Sequence, residues 1–141
     1  MLDAISLDSI INKSAHVLNK SMLISDFYHI LSNTDANIFA VLDDDGELEG
    51  VILMDQVRKQ LFNQQVPTAT IEEIMTPPPT IIDYSQSVSS IMEVFDALHA
   101  WQLPVVKDGV FIGFISKSAL LARYRDLIIK QHKETDFFAR V

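Results

Sequence analysis

The sequence predicts a mixed α/β (α+β) chain made of two copies of one unit of about sixty residues, each a small sheet with flanking helices. Three observations carry this. First, Phe39-Ala40-Val41-Leu42 runs into Asp45-Gly46, and Leu103-Pro104-Val105-Val106 runs into Asp108-Gly109. An acidic-glycine pair after a β-rich run signals a hairpin, with return strands Leu48 to Leu53 and Val110 to Ser116. Second, Gly46 maps to Gly109 and Gly50 to Gly113 at an offset of 63, while Phe39, Ala40 and Val41 map to Leu103, Pro104 and Val105 at 64. One extra aspartate in the first turn accounts for the slip. Third, the match at 64 continues backwards. Ser25-Asp26-Phe27 aligns with Ser89-Ser90-Ile91, Val17-Leu18 with Ile81-Ile82, and Ser6-Leu7-Asp8-Ser9-Ile10 with Thr70-Ile71-Glu72-Glu73-Ile74. A tandem duplication of this kind implies that each copy buries its apolar face on the other.

The second copy displays the element order. Thr70 and Glu73 have capping-box spacing and open a short helix, Ile71 to Met75, which Pro77, Pro78 and Pro79 end. Thr80-Ile81-Ile82 reads as a short strand. Ser87 to Ala100 carries Val88, Ile91, Met92, Val94, Phe95 and Leu98 at the spacing of an amphipathic helix. After the hairpin, Ser118 to Gln131 closes the unit, with Leu120, Leu121, Tyr124, Leu127 and Ile128 on one stripe. The expected divisions are residues 1–63, 64–129 and a carboxyl-terminal tail, 130–141.

Composition narrows the function. The 141 residues are 48% hydrophobic, enough for a real core, and carry 11 basic against 19 acidic residues for a net charge of -8. That sign repels phosphate backbones, so nucleic acid is not an expected partner. The absence of cysteine removes disulfides, thiolate metal sites and cysteine nucleophiles. No apolar run approaches the roughly 18 to 20 residues that cross a bilayer, and the chain is expected to be soluble as given. There is no glycine-rich phosphate loop, no glycine-flanked serine and no H-E-x-x-H, so no enzyme activity is expected. Glu72 and Glu73 sit in the first turn of a helix, where negative charge complements the dipole. His16, His29, His99 and His132 lack metal-ligand spacing and read as surface or capping residues. Asp43-Asp44-Asp45 reads as a solvated turn, because Glu47 and Glu49 do not complete a calcium-loop pattern.

The strings "TIEEIMTPPPTII", "LPVVKDGVFIGFIS" and "FAVLDDDGELEGVIL", at tandem spacing over nearly the whole chain, resemble a pair of CBS domains, also called a Bateman module. The resemblance implies two repeats packed with pseudo-two-fold symmetry. A narrower likeness runs through Trp101, Leu103 to Val106, Gly113 to Ser118 and Tyr124-Arg125, with Asp55-Gln56-Val57-Arg58. It is similar to the cytoplasmic CBS pair at the carboxyl end of bacterial CLC-type chloride channels and transporters. That likeness implies a non-catalytic regulatory module on the cytoplasmic side of the membrane, attached to a membrane-embedded domain and associating as a homodimer.

The family resemblance also implies adenosine ligands, ATP, ADP, AMP or S-adenosylmethionine, held in two clefts between the repeats. In the family a Ser/Thr-x-x-Asp turn opens the closing helix, its hydroxyl and helix terminus receiving phosphate and its aspartate the ribose. Here Ser116 keeps the hydroxyl but Ala119 replaces the aspartate, and in the first copy Leu53 and Gln56 replace both. One expected cleft pairs Ser116, Lys117 and Ser118 with His16, Val17, Asn37 and Phe39. The other draws on Thr80, Ile81, Trp101, Leu103 and Gln56. Ser116 is equally readable as a helix N-cap, and Trp101 as a packed anchor. The two missing aspartates leave open a structural dimerisation module that no longer binds nucleotide, and the length also fits a stand-alone sensor of a separate partner.

Overall fold

The apolar runs of the two hairpins become strands of two sheets, one of which takes an edge strand from the other copy while the other is bridged by a single residue of the other copy. The computed structural model describes residues 4–63 and 68–139. The expected boundary at 63/64 borders residues 64–67, which lie outside the described residues, as do Met1, Arg140 and Val141.

The chain runs through a 3-10 turn at Leu7–Ser9, then β1 (Ile11–Asn12), β2 (Val17–Asn19), α1 (Ile24–Leu31), β3 (Ile38–Leu42), β4 (Leu48–Leu53) and α2 (Met54–Asn63). A second 3-10 turn at Ile71–Glu73 follows, then β5 (Ile82–Asp83), α3 (Val88–Leu98), β6 (Gln102–Lys107), β7 (Val110–Ser116) and α4 (Lys117–Ala139). One sheet is ordered β2-β3-β4 and the other β1-β7-β6-β5. Within each copy the strand before the long amphipathic helix pairs parallel to the hairpin's leading strand, β2 to β3 and β5 to β6. The hairpins pair antiparallel, with Val41 opposite Gly50 and Val105 opposite Gly113. This is the mixed α/β architecture expected of the sequence.

Local chemistry explains several element limits. Ser87 caps α3 by accepting from the Ser90 amide, and His99 ends that helix in the left-handed region at φ 53. Asp108 (φ 52) and Gly109 (φ 82) supply the two positive φ values of a two-residue hairpin loop. The first hairpin is longer, and the Asp43 carboxylate closes it by accepting from the Asp45 and Glu47 amides at 2.9 Å each. The expected capping box is present, with the Thr70 amide donating to Glu73 Oε2 at 2.6 Å, but the element it opens is a single 3-10 turn. The closing helix extends beyond the expected Gln131, because no glycine or proline interrupts the run to Ala139. The expected strand at Thr80 to Ile82 is shorter and shifted, spanning Ile82 and Asp83.

The cores show how the copies depend on each other. One cluster joins Ile82, Ile91, Phe95, Leu103, Val105, Ile115 and Leu120 of the second copy to Ile5, Ile10 and Ile11 of the first. The other joins Leu18, Ile24, Phe27, Phe39, Val41, Ile52 and Val57 of the first copy to Ala69, Ile71 and Ile74 of the second. The leading segment of each copy is therefore buried in the other copy's core. β1 pairs with β7 (Ile11 opposite Ile115), and Thr76 exchanges two backbone hydrogen bonds with Val51, of 2.8 and 3.0 Å. Residues 13–16 and 77–81 make the two crossings. Pro77, Pro78 and Pro79 suit the second of these, since a proline has fixed φ and no amide to leave unpaired.

Two glycines at matching positions admit the crossing segments. A Cβ on Gly113 would lie 2.4 Å from the Asn12 carbonyl oxygen, and one on Gly50 would lie 2.9 Å from that of Thr76. A third cluster, Ile38, Ala40, Val51 and Phe114, seals one sheet against the other.

Candidate functional site

The crossings leave clefts between the repeats, and the connectors form part of their walls. The first is the more polar and consists of two adjoining cavities of about 370 and 380 Å³, with Asn12, Gln102 and Phe114 in the walls of both. One of them is bounded by Ser14, Ala15 and His16 of the first connector together with Thr34 and Asn37. The other is bounded by Ser116, Ala119 and Arg123 at the start of α4. The second cleft, of about 310 Å³, lies between Asn37, Leu53, Asp55 and Gln56 on one side and Pro79, His99, Ala100 and Trp101 on the other. All three volumes fall within the range of small-molecule sites, roughly 300 to 1,000 Å³. Gln102 Nε2 donates to Asn37 Oδ1 at 3.1 Å where the two clefts meet.

Among the residues expected at the Ser116 cleft, the structure brings together His16, Asn37 and Ser116. Ser116 Oγ accepts from the Ala119 amide at 3.1 Å, so it does cap α4, and it also lies 3.4 Å from Ser118 Oγ. His16 Nε2 lies 3.0 Å from Thr34 Oγ1. Phe39 is fully buried beneath, edge-on to Phe27 at a centroid distance of 5.2 Å, and Val17 faces outward. Lys117 points elsewhere. Its ammonium stands 3.7 Å from the Asp96 carboxylate and 6.0 Å from the Trp101 ring centre. Ser118 is exposed at the mouth of the helix and does not line these cavities.

At the second cleft the structure brings Trp101 and Gln56 together, while Leu103 is buried in the core and Thr80 and Ile81 lie outside the lining. Sequence reasoning missed Ser14, Gln102 and Arg123 in the polar cleft, and Asp55 and His99 in the other. Arg123 was open to discovery, since it lies two helical turns after Ser116. Gln102 could not be found this way, because its position follows from how the two sheets meet.

The perturbed acids lie at the crossing rather than in a cleft. The Tyr84 hydroxyl donates to Asp8 Oδ2 at 2.7 Å and Lys13 sits 3.2 Å from Asp8 Oδ1, so the Asp8 carboxyl is held below its usual range. The same bond, and burial second, raises the Tyr84 hydroxyl. Asp83 is lowered by the Ser85 hydroxyl and amide. Asp8 and Tyr84 thus pin the first copy's leading segment to the second copy. Among the described residues no His, Asp and Glu cluster could hold a metal, and no helix is long and apolar enough to cross a membrane.

Comparison with known proteins agrees with this architecture. Residues 71–126 match the family model described as CBS domain. No curated protein gives a significant match. Among solved structures, a putative acetoin utilization protein (AcuB) from Vibrio cholerae shares 17% identity and a TM-score of 0.73, with 92% of this chain and 96% of that chain covered. CBSX2, solved in complex with AMP, shares 19% identity and a TM-score of 0.66, covering 86% and 97%. The cytosolic domain of the Mg2+ channel MgtE, solved in complex with ATP, shares 17% and 0.68, covering 83% of this chain and 48% of that one. With residues 71–126 matching the CBS domain and 83 to 92% of the chain aligning with those structures, the chain has the fold of a tandem CBS domain pair.

Proposed function

We propose that the protein is a non-catalytic regulatory module that binds an adenosine nucleotide in the polar cleft between its repeats. The observation that carries this is the meeting of Ser116, Arg123 and the start of α4 in one wall, facing the Ser14 to His16 connector. The Ser116 hydroxyl, a guanidinium and a helix start with no acidic residue in its first turn suit a phosphate. Arg123 takes the part expected of Lys117. With Ala119 in place of an aspartate, the ribose is left to Asn37, Gln102 and backbone groups. The complexes of CBSX2 with AMP and of the MgtE domain with ATP support a nucleotide ligand on this fold.

The likeness around Trp101 to Arg125 supports a finer reading, a homodimeric tail of a CLC-type chloride channel or transporter on the cytosolic side of the membrane. In that reading residues 1–63 and 64–129 are the repeats and 130–141 a tail. The full-length reading frame tests it directly, through the presence or absence of an upstream membrane domain.

Nucleotide binding is tested by thermal melting and calorimetry of the chain with AMP, ADP, ATP and S-adenosylmethionine. A ligand at 100 times its Kd adds about 2.7 kcal/mol to stability. Arg123→Glu is expected to weaken AMP by about tenfold or more while leaving the ligand-free melting temperature unchanged. Absence of binding by every adenosine ligand at millimolar concentration refutes the proposal and leaves a structural dimerisation module.

A further inference from the structure

We infer that the second cleft is selective against phosphate and takes an uncharged nucleoside, so that the two clefts of this protein answer to different ligands. The inference rests on the nucleotide-sensing reading of the fold and extends it to ligand class. The Trp101 side chain is 75% exposed and forms one wall, a ready face for an aromatic base. Across from it, Asp55 stands in the first turn of α2, at the position Ser118 holds in α4.

That carboxylate already complements the positive end of α2, and it repels an incoming phosphate at close range. The same oxygens accept hydrogen bonds from neutral hydroxyls, the chemistry of a ribose diol, and Asn37 and Gln56 add further polar partners beside it. Among the described residues no lysine or arginine lines this cavity. The Lys117 ammonium, 6.0 Å from the Trp101 ring centre, lies outside the lining and is paired with the Asp96 carboxylate at 3.7 Å. Among the described residues His99 is the one lining side chain with a basic group, and it sits at the α3 terminus in the left-handed cap. The Ser116 half of the polar cleft has the opposite balance, with Arg123 in its wall and no acidic residue in the first turn of α4, while Asp35 lines the His16 half.

Trp101 is the only tryptophan in the chain, so its fluorescence reports this cleft and not the other. The whole chain is titrated with adenosine and with AMP, with excitation at the red edge of indole absorption where purines are transparent. Adenosine is expected to change the emission saturably, and AMP to require about tenfold more ligand or worse. Asp55→Asn is expected to bring AMP within a few-fold of adenosine, and Asp55→Glu to preserve the discrimination. Asp55 is exposed, so neither variant threatens the core. Equal responses to the two ligands, no response to either, or an unchanged ratio in Asp55→Asn overturns the inference. Calorimetric AMP binding that is sensitive to Arg123→Glu reads the polar cleft separately. Its absence beside an intact Trp101 response to adenosine refutes nucleotide binding in the polar cleft and leaves this inference standing.

Discussion

Replacing Gly113 with alanine probes the exchange of leading segments that holds the two repeats together. The new Cβ would meet the Asn12 carbonyl oxygen at 2.4 Å and Ile11 Cγ2 at 2.8 Å, on a residue whose φ is +153°. The first of these is backbone, so a side-chain rotation cannot relieve it, and β1 must withdraw from β7. Overpacking of this kind costs about 1 to 3 kcal/mol. Withdrawal also exposes part of Ile10 and Ile11, now 6% and 7% accessible, each worth about 1.5 to 3 kcal/mol if fully uncovered. With partial relaxation the expected loss is about 4 kcal/mol, a large share of the roughly 5 to 15 kcal/mol of a typical domain.

The assay is urea unfolding of the variant beside Gly109→Ala. Gly109 has φ +82° and nothing within 4 Å of a built Cβ, so its replacement isolates backbone strain, about 1 to 2 kcal/mol. Gly50→Ala is expected to fall between them, because one of its contacts is the unbranched Met75 side chain at 2.9 Å, which can rotate away, and the other the Thr76 carbonyl. A Gly113→Ala protein no less stable than Gly109→Ala would refute the claim that close approach of β1 is what requires glycine there.

Ser116→Ala removes an N-cap and a cleft hydroxyl together, so it is expected to cost about 1 kcal/mol in urea unfolding and to weaken AMP in calorimetry, whereas Ser116→Thr retains most of both. The Asp8 and Tyr84 pair gives a pH signature. The lowered Asp8 and Asp83 carboxyls contribute stability that is present above the ordinary value of 3.8 and lost as pH falls through their folded values. The raised Tyr84 contributes stability that is present below 10.0 and lost as pH rises through its folded value. Urea midpoints measured across pH are therefore expected to show a plateau between these limits. Tyr84→Phe is expected to shrink the acid-side fall, leaving the part that Lys13 holds at Asp8 and the Asp83 part, and to remove its own alkaline loss.

The sequence by itself determined the duplication, both hairpins and the amphipathic helix after Ser87, because these rest on local signals. An Asp-Gly pair turns a hairpin through the φ values of two residues, and a helix stripe follows from a period of 3.6. Ser116 and Trp101 were legible as cleft residues for the same reason, each lying at a strand or helix end whose place in the repeat is fixed. Phe39 and Leu103 were misplaced in the clefts because alternation along a strand does not say which face meets a ligand and which the core. Lys117 was assigned by adjacency to Ser116, yet neighbours in a helix point in different directions, and Asp96 and Trp101 hold its ammonium. Only the tertiary structure decided that Ile10 and Ile11 serve the second copy's core and Ile71 and Ile74 the first's. The two halves carry nearly the same apolar pattern, so the pattern fits packing within a copy and packing across copies equally well. The close approach of Asn12 to Gly113 and of Thr76 to Gly50 selects the crossed arrangement, and with it the clefts that the connectors enclose.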